Sequence, residues 1–426
     1  MMSGLGIPVR RHLLDNGLRV VLSVDTSAPV VAVNLWYGVG SRNERPGRTG
    51  FAHLFEHMMF QGSAHVPKNG HFELVEKAGG SLNGSTSFDR TNYYETLPAH
   101  HLDLGLWLEA DRMGWLLPAM TQEKLDNQRD VVKNEKLQSY DNRPYGDWIE
   151  RVLARVFPPD HPYHHTVIGS MDDLDAATLE DVAGFFRTYY VPGNCVLTVC
   201  GDFEPDRALD SVRRYFEDIP GGDPVPDVPR RADVGPDIGA TVRERIESRV
   251  PLVRVIVASR IPPYRDPEFH ALDVASSVLA TGRASRLYRS LVRERRLAKD
   301  VVSYAFPLMT GPSLFLSWAT GVRGVDEEEL TAALLGELDA LGDTSDEDVA
   351  RAVTLAESHW VRGVERMGQR ADLLSMFTTH FDEPERINTE MDRIRAVTRD
   401  DVRACAQRLG EANRAVITYA PGEEAA

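Results

Sequence analysis

The second half of this chain repeats the first. Leu174-Asp-Ala-Ala-Thr-Leu-Glu-Asp-Val182 matches Ile394-Arg-Ala-Val-Thr-Arg-Asp-Asp-Val402, an offset of 394 − 174 = 220 residues. Each copy continues into a helix, an asparagine (Asn194 or Asn413) and a short apolar strand (Cys195–Cys200 or Ala415–Tyr419). Val30–Tyr37 has a counterpart in Leu252–Ala258, each followed by a loop containing Pro and Arg and then a helix. A duplication of this kind requires two domains of like fold. Strand runs mixed with long helices give the class: α+β, two homologous domains, each a mostly antiparallel sheet with helices packed on one side. The stretch from Pro220 to Pro236 is rich in Pro, Gly and Asp and reads as a linker. The expected division is therefore 1–220, a linker at 221–236, and 237–426.

In the first half, Arg19–Val24 reads as a strand after the Asp15-Asn16-Gly17 turn, and Val30–Tyr37 as a second. Helices are expected near His71–Lys77, over His101–Met113, from Glu123 through Gln138, and over Asp173–Tyr190; Ser81–Thr96 alternates like strands.

Composition excludes several classes. The net charge is 48 − 64 = −16. Nucleic-acid binding wants a basic face. The charge suits an acidic cavity that attracts basic peptides, or simply solubility. No apolar run approaches the roughly 18 residues of a membrane span, and the start, Met-Met-Ser-Gly-Leu-Gly-Ile-Pro, has no apolar secretory core. Three cysteines (Cys195, Cys200, Cys405) do not read as a disulfide framework. A cytoplasmic location is the expectation.

One pentapeptide carries chemistry. His53-Leu-Phe-Glu56-His57 places two histidines four apart, with a glutamate three after the first. On a helix these positions share one face. Both rings can reach one zinc ion, with Glu56 beside them, in the inverted H-x-x-E-H order. Catalytic zinc takes three protein ligands and leaves one position for water. The best candidate for the third is Glu135, on the strongly helical Gln128–Lys136 segment. Zinc lowers the pKa of water to about 7, and Glu56 is placed to take that proton and pass it to a leaving amine. No G-x-S-x-G or cysteine–histidine signature competes.

The residues around the motif resemble the inverted-zincin family of pitrilysin, insulin-degrading enzyme and the mitochondrial processing peptidases. The resemblance rests on Asn34–Glu44, Gly50–Gly62, Gly80–Thr86, Asn134-Glu135 followed by Pro144-Tyr145-Gly146, and Tyr190–Cys195 with Gly201-Asp202. It spans nearly the whole chain, and by length it points to the half-size branch that works as two-subunit enzymes. The resemblance implies a zinc endopeptidase acting on peptides in a closed chamber. It implies one zinc per chain held by His53, His57 and Glu135, with Glu56 as catalytic base. Asn83, Gly84, Ser85 and Thr86 match an edge strand that pairs with an extended substrate; taken alone, Asn83-Gly84 reads equally as a turn.

Two departures follow. Seven residues before the third ligand the family often has glutamate; here Gln128 stands there, able to hydrogen-bond around the metal but not to supply charge. Self-sufficient members also carry an Arg and a Tyr after Ser-Arg-Leu-Tyr in the second half. Here, aligned on Leu297-Ala298, those positions hold Val292 and Lys299, with Arg293 and Tyr304 out of register. The implied partner is a homologous subunit that supplies the pair, making a heterodimer rather than a homodimer. A maturation protease for a few precursor peptides, and a non-catalytic core-like subunit, are the alternatives.

Overall fold

A computed structural model describes residues 5–228, 234–235 and 237–422, so part of the expected linker (229–233 and 236) lies outside the described residues. The strands are β1 (Arg10–Leu13), β2 (Arg19–Val24), β3 (Val30–Tyr37), β4 (Ser81–Thr86), β5 (Thr91–Pro98), β6 (Cys195–Gly201), β7 (Ala240–Ser248), β8 (Arg254–Ile261), β9 (Ala298–Phe306), β10 (Ser313–Gly321) and β11 (Asn413–Pro421). They form two sheets, ordered β1-β2-β6-β3-β5-β4 and β7-β11-β8-β10-β9.

The sheets are copies. In the first, β2 runs parallel to β6, and the β6-β3, β3-β5 and β5-β4 pairs are antiparallel. In the second, β7 runs parallel to β11, and β11-β8, β8-β10 and β10-β9 are antiparallel. The duplication and the α+β class read from the sequence are thus present strand by strand; β1 is an addition to the first sheet.

The compact units are not sequential halves. One comprises Met1–Lys136, His165–Val228 and Val361–Glu390; the other comprises Leu137–His164, Pro229–Trp360 and Met391–Ala426. This differs from a division at 221–236, and the cause is a reciprocal exchange. Helix Met367–Phe381, from the second half, packs on β3 and β6. Helix Trp148–Val156, from the first half, packs on β8 and β11. The two are themselves repeats, since 148 + 220 = 368 falls at the start of the later helix.

The central strands explain why each sheet needs such a helix. β6 is buried along its whole length and β3 along all but its first residue, so both faces must be covered. On one face of the first sheet, Gly105 of α3 (Leu102–Trp115) lies against Val33, Glu95 and Leu97. On the other, Ser375 of helix Met367–Phe381 hydrogen-bonds Thr198 at 2.8 Å and His380 meets the Trp36 ring edge-on. Helices therefore lie on both faces, with the larger group on the α3 side.

Most helix boundaries match the expected ones. Asp173–Tyr190 is broken instead into Met171–Asp175 and Leu179–Tyr189, because Thr178 adopts extended backbone and caps the second helix through Asp181. No described helix is long and apolar enough to cross a membrane.

Candidate metal centre

The H-x-x-E-H segment forms helix α1 (Phe51–Met58). Phe51, Ala52, Leu54, Phe55 and Met58 are buried, with the Phe55 ring packed at a tilt against Phe186 and Tyr190, which leaves His53, Glu56 and His57 on the half-buried face. The helix start has no side-chain cap of its own. Gly50, at φ 87°, turns the chain into it, and a Cβ there would meet the Ile168 carbonyl oxygen at 2.6 Å. The free N–H groups are met from a distance: Glu44 accepts from Gly50 N at 2.9 Å and from Ala52 N at 2.8 Å. Glu44 is fully buried, and its Oε2 lies 2.9 Å from His165 Nε2.

Glu135 arrives on α4 (Gln122–Lys136), which packs against α1 through a face that buries Leu125, Gln128 and Val132. His53 Nε2 and His57 Nε2 lie 3.7 and 3.4 Å from the same oxygen, Glu135 Oε2. Among the described residues these three form the one group of His, Cys, Asp or Glu donors close enough to share an ion, all within 4.8 Å of one another. Four donors about 2.0–2.1 Å from a tetrahedral zinc are separated by roughly 3.3 Å. Two imidazole nitrogens and a carboxylate at this spacing fit zinc in donor type and in size.

Electrostatics act differently on the three donors. Burial, with His57 nearby, lowers His53 to about 4, so it is a neutral imidazole at pH 7. Burial also works against charge on His57, but the Glu135 hydrogen bond and Glu56 outweigh it and raise its pKa. The bond from His57, with both histidines near, lowers Glu135 below the usual carboxylate range. Gln128, nearly buried, also hydrogen-bonds His57.

Glu56 is held separately. Burial raises its pKa, opposed by a 2.6 Å hydrogen bond from Thr86 Oγ1. The edge strand β4 passes directly over it: a Cβ on Gly84 would stand 3.1 Å from both Cγ and Oε1 of Glu56. Glycine is what lets the strand approach so closely. Asn83-Gly84 is strand, not turn, with Asn83 opposite Tyr94 in the β4–β5 register. The expected substrate-binding stretch divides by strand alternation. Gly84 and Thr86 face Glu56, whereas Asn83 and Ser85 line a cavity on the opposite face. β4 has β5 on one side and an open edge on the other.

The residues missed from sequence are Glu44 and His165. Glu44 ends the Asn34–Glu44 segment, but nothing in its spacing ties it to a helix starting seven residues later. His165 reads as a loop histidine beside His161 and His164. Those two keep that role: His161 stacks on Phe157 and His164 Nδ1 meets the Phe157 carbonyl at 2.8 Å. In the second unit, Val292 is half-buried and Lys299 exposed, while Tyr304 sits on β9 against Trp318.

Comparison with known proteins identifies the family. A sequence model described as "Insulinase (Peptidase family M16)" matches residues 19–162, and one described as "Peptidase M16 inactive domain" matches 176–355. The zinc protease PqqE of Helicobacter pylori is 32% identical over 334 residues, 77% of this chain and 73% of that one. A probable mitochondrial-processing peptidase subunit beta of Arabidopsis thaliana is 26% identical over 63% of this chain and 50% of its own length. The crystal structure of a protease from Helicobacter pylori superposes with a TM-score of 0.90 at 26% identity, covering 97% of this chain and 100% of the other. The chain belongs to the M16 family of peptidases.

Proposed function

We propose that this chain is the metal-bearing subunit of a zinc endopeptidase that cuts extended peptides laid along β4. The observation that carries the reading is the convergence of His53, His57 and Glu135 on one point, with Glu56 between that point and an open strand edge. Zinc held by the three residues would supply a Lewis acid and a water of pKa about 7. Glu56 takes a proton from the attacking water and returns it to the leaving amine. Thr86 fixes the Glu56 carboxylate, so the base needs no reorientation as substrate arrives. β4 offers its unpaired backbone groups to a peptide as one more strand, which positions the scissile bond without reading its sequence.

The same reading extends to partners. The developing oxyanion needs hydrogen-bond donors, and Val292 and Lys299 occupy the positions where self-sufficient relatives carry Arg and Tyr. We take this as support for a heterodimer in which a homologous subunit supplies the pair. One relative is itself named as a subunit. The three cysteines are buried and free, which supports a reducing, cytoplasmic compartment; cell fractionation checks it.

The test is metal analysis joined to peptide digestion. The purified chain should hold one zinc, and Glu56→Gln should keep the metal while losing cleavage. A native protein that takes up no zinc overturns the reading. The lone chain should cleave weakly and a homologous Arg/Tyr-bearing partner should restore activity; full activity from the lone chain removes the partner requirement.

A further inference from the structure

Helix Met367–Phe381 covers β6 and β3 and reaches part of β5, but stops short of β4. The shortfall leaves a cavity of about 720 Å³, lined by Ser81, Asn83 and Ser85 of β4, Asn92 and Tyr94 of β5, and Arg366 and Gln369 at the helix start.

 The cavity lies on the sheet face away from the metal centre, because Asn83 and Ser85 alternate with Gly84 and Thr86.

Its floor is charged and held in place. Arg90, largely buried, bonds the Ser85 carbonyl at 2.7 Å and Ser85 Oγ at 2.6 Å, and its guanidinium lies 5.2 Å from the Trp36 ring centre. Asp372, also largely buried, accepts from Asn92 Nδ2 at 3.0 Å. Arg366 is exposed at the rim. Two guanidiniums and one carboxylate leave this groove cationic, although the chain as a whole carries −16.

A peptide paired with β4 sends alternate side chains to opposite faces of the extended sheet. One set meets Glu56 and the metal ligands. The other set passes the small side chains of Ser81, Asn83 and Ser85 into the cavity. We propose that the groove behind β4 is a specificity pocket that takes acidic or amide side chains (Asp, Glu, Asn, Gln) from every second residue of the bound peptide, with Arg366 and Arg90 as the selecting charges. This rests on the strand-addition reading above and deepens it by naming the substrate class. The pocket bears on binding, not on the chemical step.

The test is a binding measurement that needs no cleavage. Fluorescent peptides alternating Ala with Asp, Gln or Lys are titrated into zinc-loaded Glu56→Gln protein and followed by anisotropy. The Asp and Gln peptides should bind about tenfold more tightly than the Lys peptide. Arg366→Glu should reverse the order of Asp and Lys, and Gln369→Glu, a second exposed rim position, should shift it the same way. Equal affinities, a preference for Lys, no binding of any peptide, or a preference indifferent to both rim variants each overturns the pocket. A wild-type chain that cleaves nothing, even with its partner, overturns the peptidase reading instead, and leaves the binding order as a separate result.

Discussion

The two sheets share strand order and pairing sense, yet among the described residues only the first unit carries a candidate metal-ligand cluster. In the first unit, α1 turns a face with two histidines and a glutamate away from the core, and Glu44 and His165 fix its start. In the second, helix Glu268–Ala280 is buried on most sides, from Phe269 through Leu279, and carries no such triad. The scaffold is therefore permissive, and the site depends on side chains and on one distant cap. The duplicated fold and the ligand cluster are thus separable.

Breaking that contrast should have its largest effect at Glu56. Glu56→Gln is expected to lower kcat by about 10²–10⁴-fold, the usual worth of a positioned acid–base group, with zinc content unchanged. A comparable loss of an acid in the second unit, Asp273→Asn on helix Glu268–Ala280, should leave both kcat and zinc content as they were. Steady-state kinetics and metal analysis on the two variants check the pair. Equal losses from both would mean that the units are not functionally distinct.

Next comes the metal. Glu135→Gln replaces a carboxylate whose oxygen lies 3.4 and 3.7 Å from two imidazole nitrogens. Zinc affinity should fall by more than the roughly 10–100-fold expected for removing a partner behind the ligands, whereas Gln128→Ala should stay within that range. Competition with a chromogenic chelator reads both. A Gln128 effect equal to the Glu135 effect would place Gln128 among the ligands.

The third contrast is the cap. His165→Ala leaves Glu44 buried with its Gly50 and Ala52 bonds but no cationic neighbour. A hydrogen bond to a charged group contributes about 1.5–3 kcal/mol, so the variant should lose stability on that order. The pH dependence has a definite sign. His165 is desolvated, yet Glu44 raises its pKa above 6.5. A raised histidine stabilises fully below its unfolded pKa and loses that contribution as pH rises through the folded value. The gap between wild type and His165→Ala should therefore be widest near pH 6 and narrow on the alkaline side. Denaturant melts across that range test it; a gap that widens with pH would contradict the pairing.

Much of this was legible in the chain because it is local or repeated. The period of α1 placed His53, Glu56 and His57 together, and the 220-residue offset gave two like domains. Three features were not legible, each for a physical reason. The exchange of helices Trp148–Val156 and Met367–Phe381 between units depends on which sheet face lacks cover, which no local pattern records. The division of Asn83 to Thr86 between two faces depends on strand register, and a turn reading of Asn83-Gly84 erases it. Glu44 caps α1 from outside the helix, so the preference for a capping side chain at the helix start gives no sign of it.

The smallest expected difference lies in a device that both units share. Thr178 and Thr398 each accept from the backbone of Asp181 or Asp401, and each aspartate bonds back, closing a capping box in both copies. Thr→Ala at either position should cost about 1 kcal/mol. The Thr hydrogen bonds lower the pKa of both aspartates. A depressed aspartate contributes stability above its unfolded pKa of about 3.9 and loses it as pH falls through the folded value. Both boxes should thus weaken only below about pH 4. Asp181 has one extra neighbour, Arg48 at 3.4 Å, exposed enough to add no more than about 1 kcal/mol. Amide exchange in Leu179–Tyr189 and in Arg399–Arg408 reads each helix separately. Asp181→Asn should loosen its helix slightly more than Asp401→Asn loosens its own, and salt should erase that excess while leaving the rest, because screening reaches the Arg48 pair before it reaches a short-range cap.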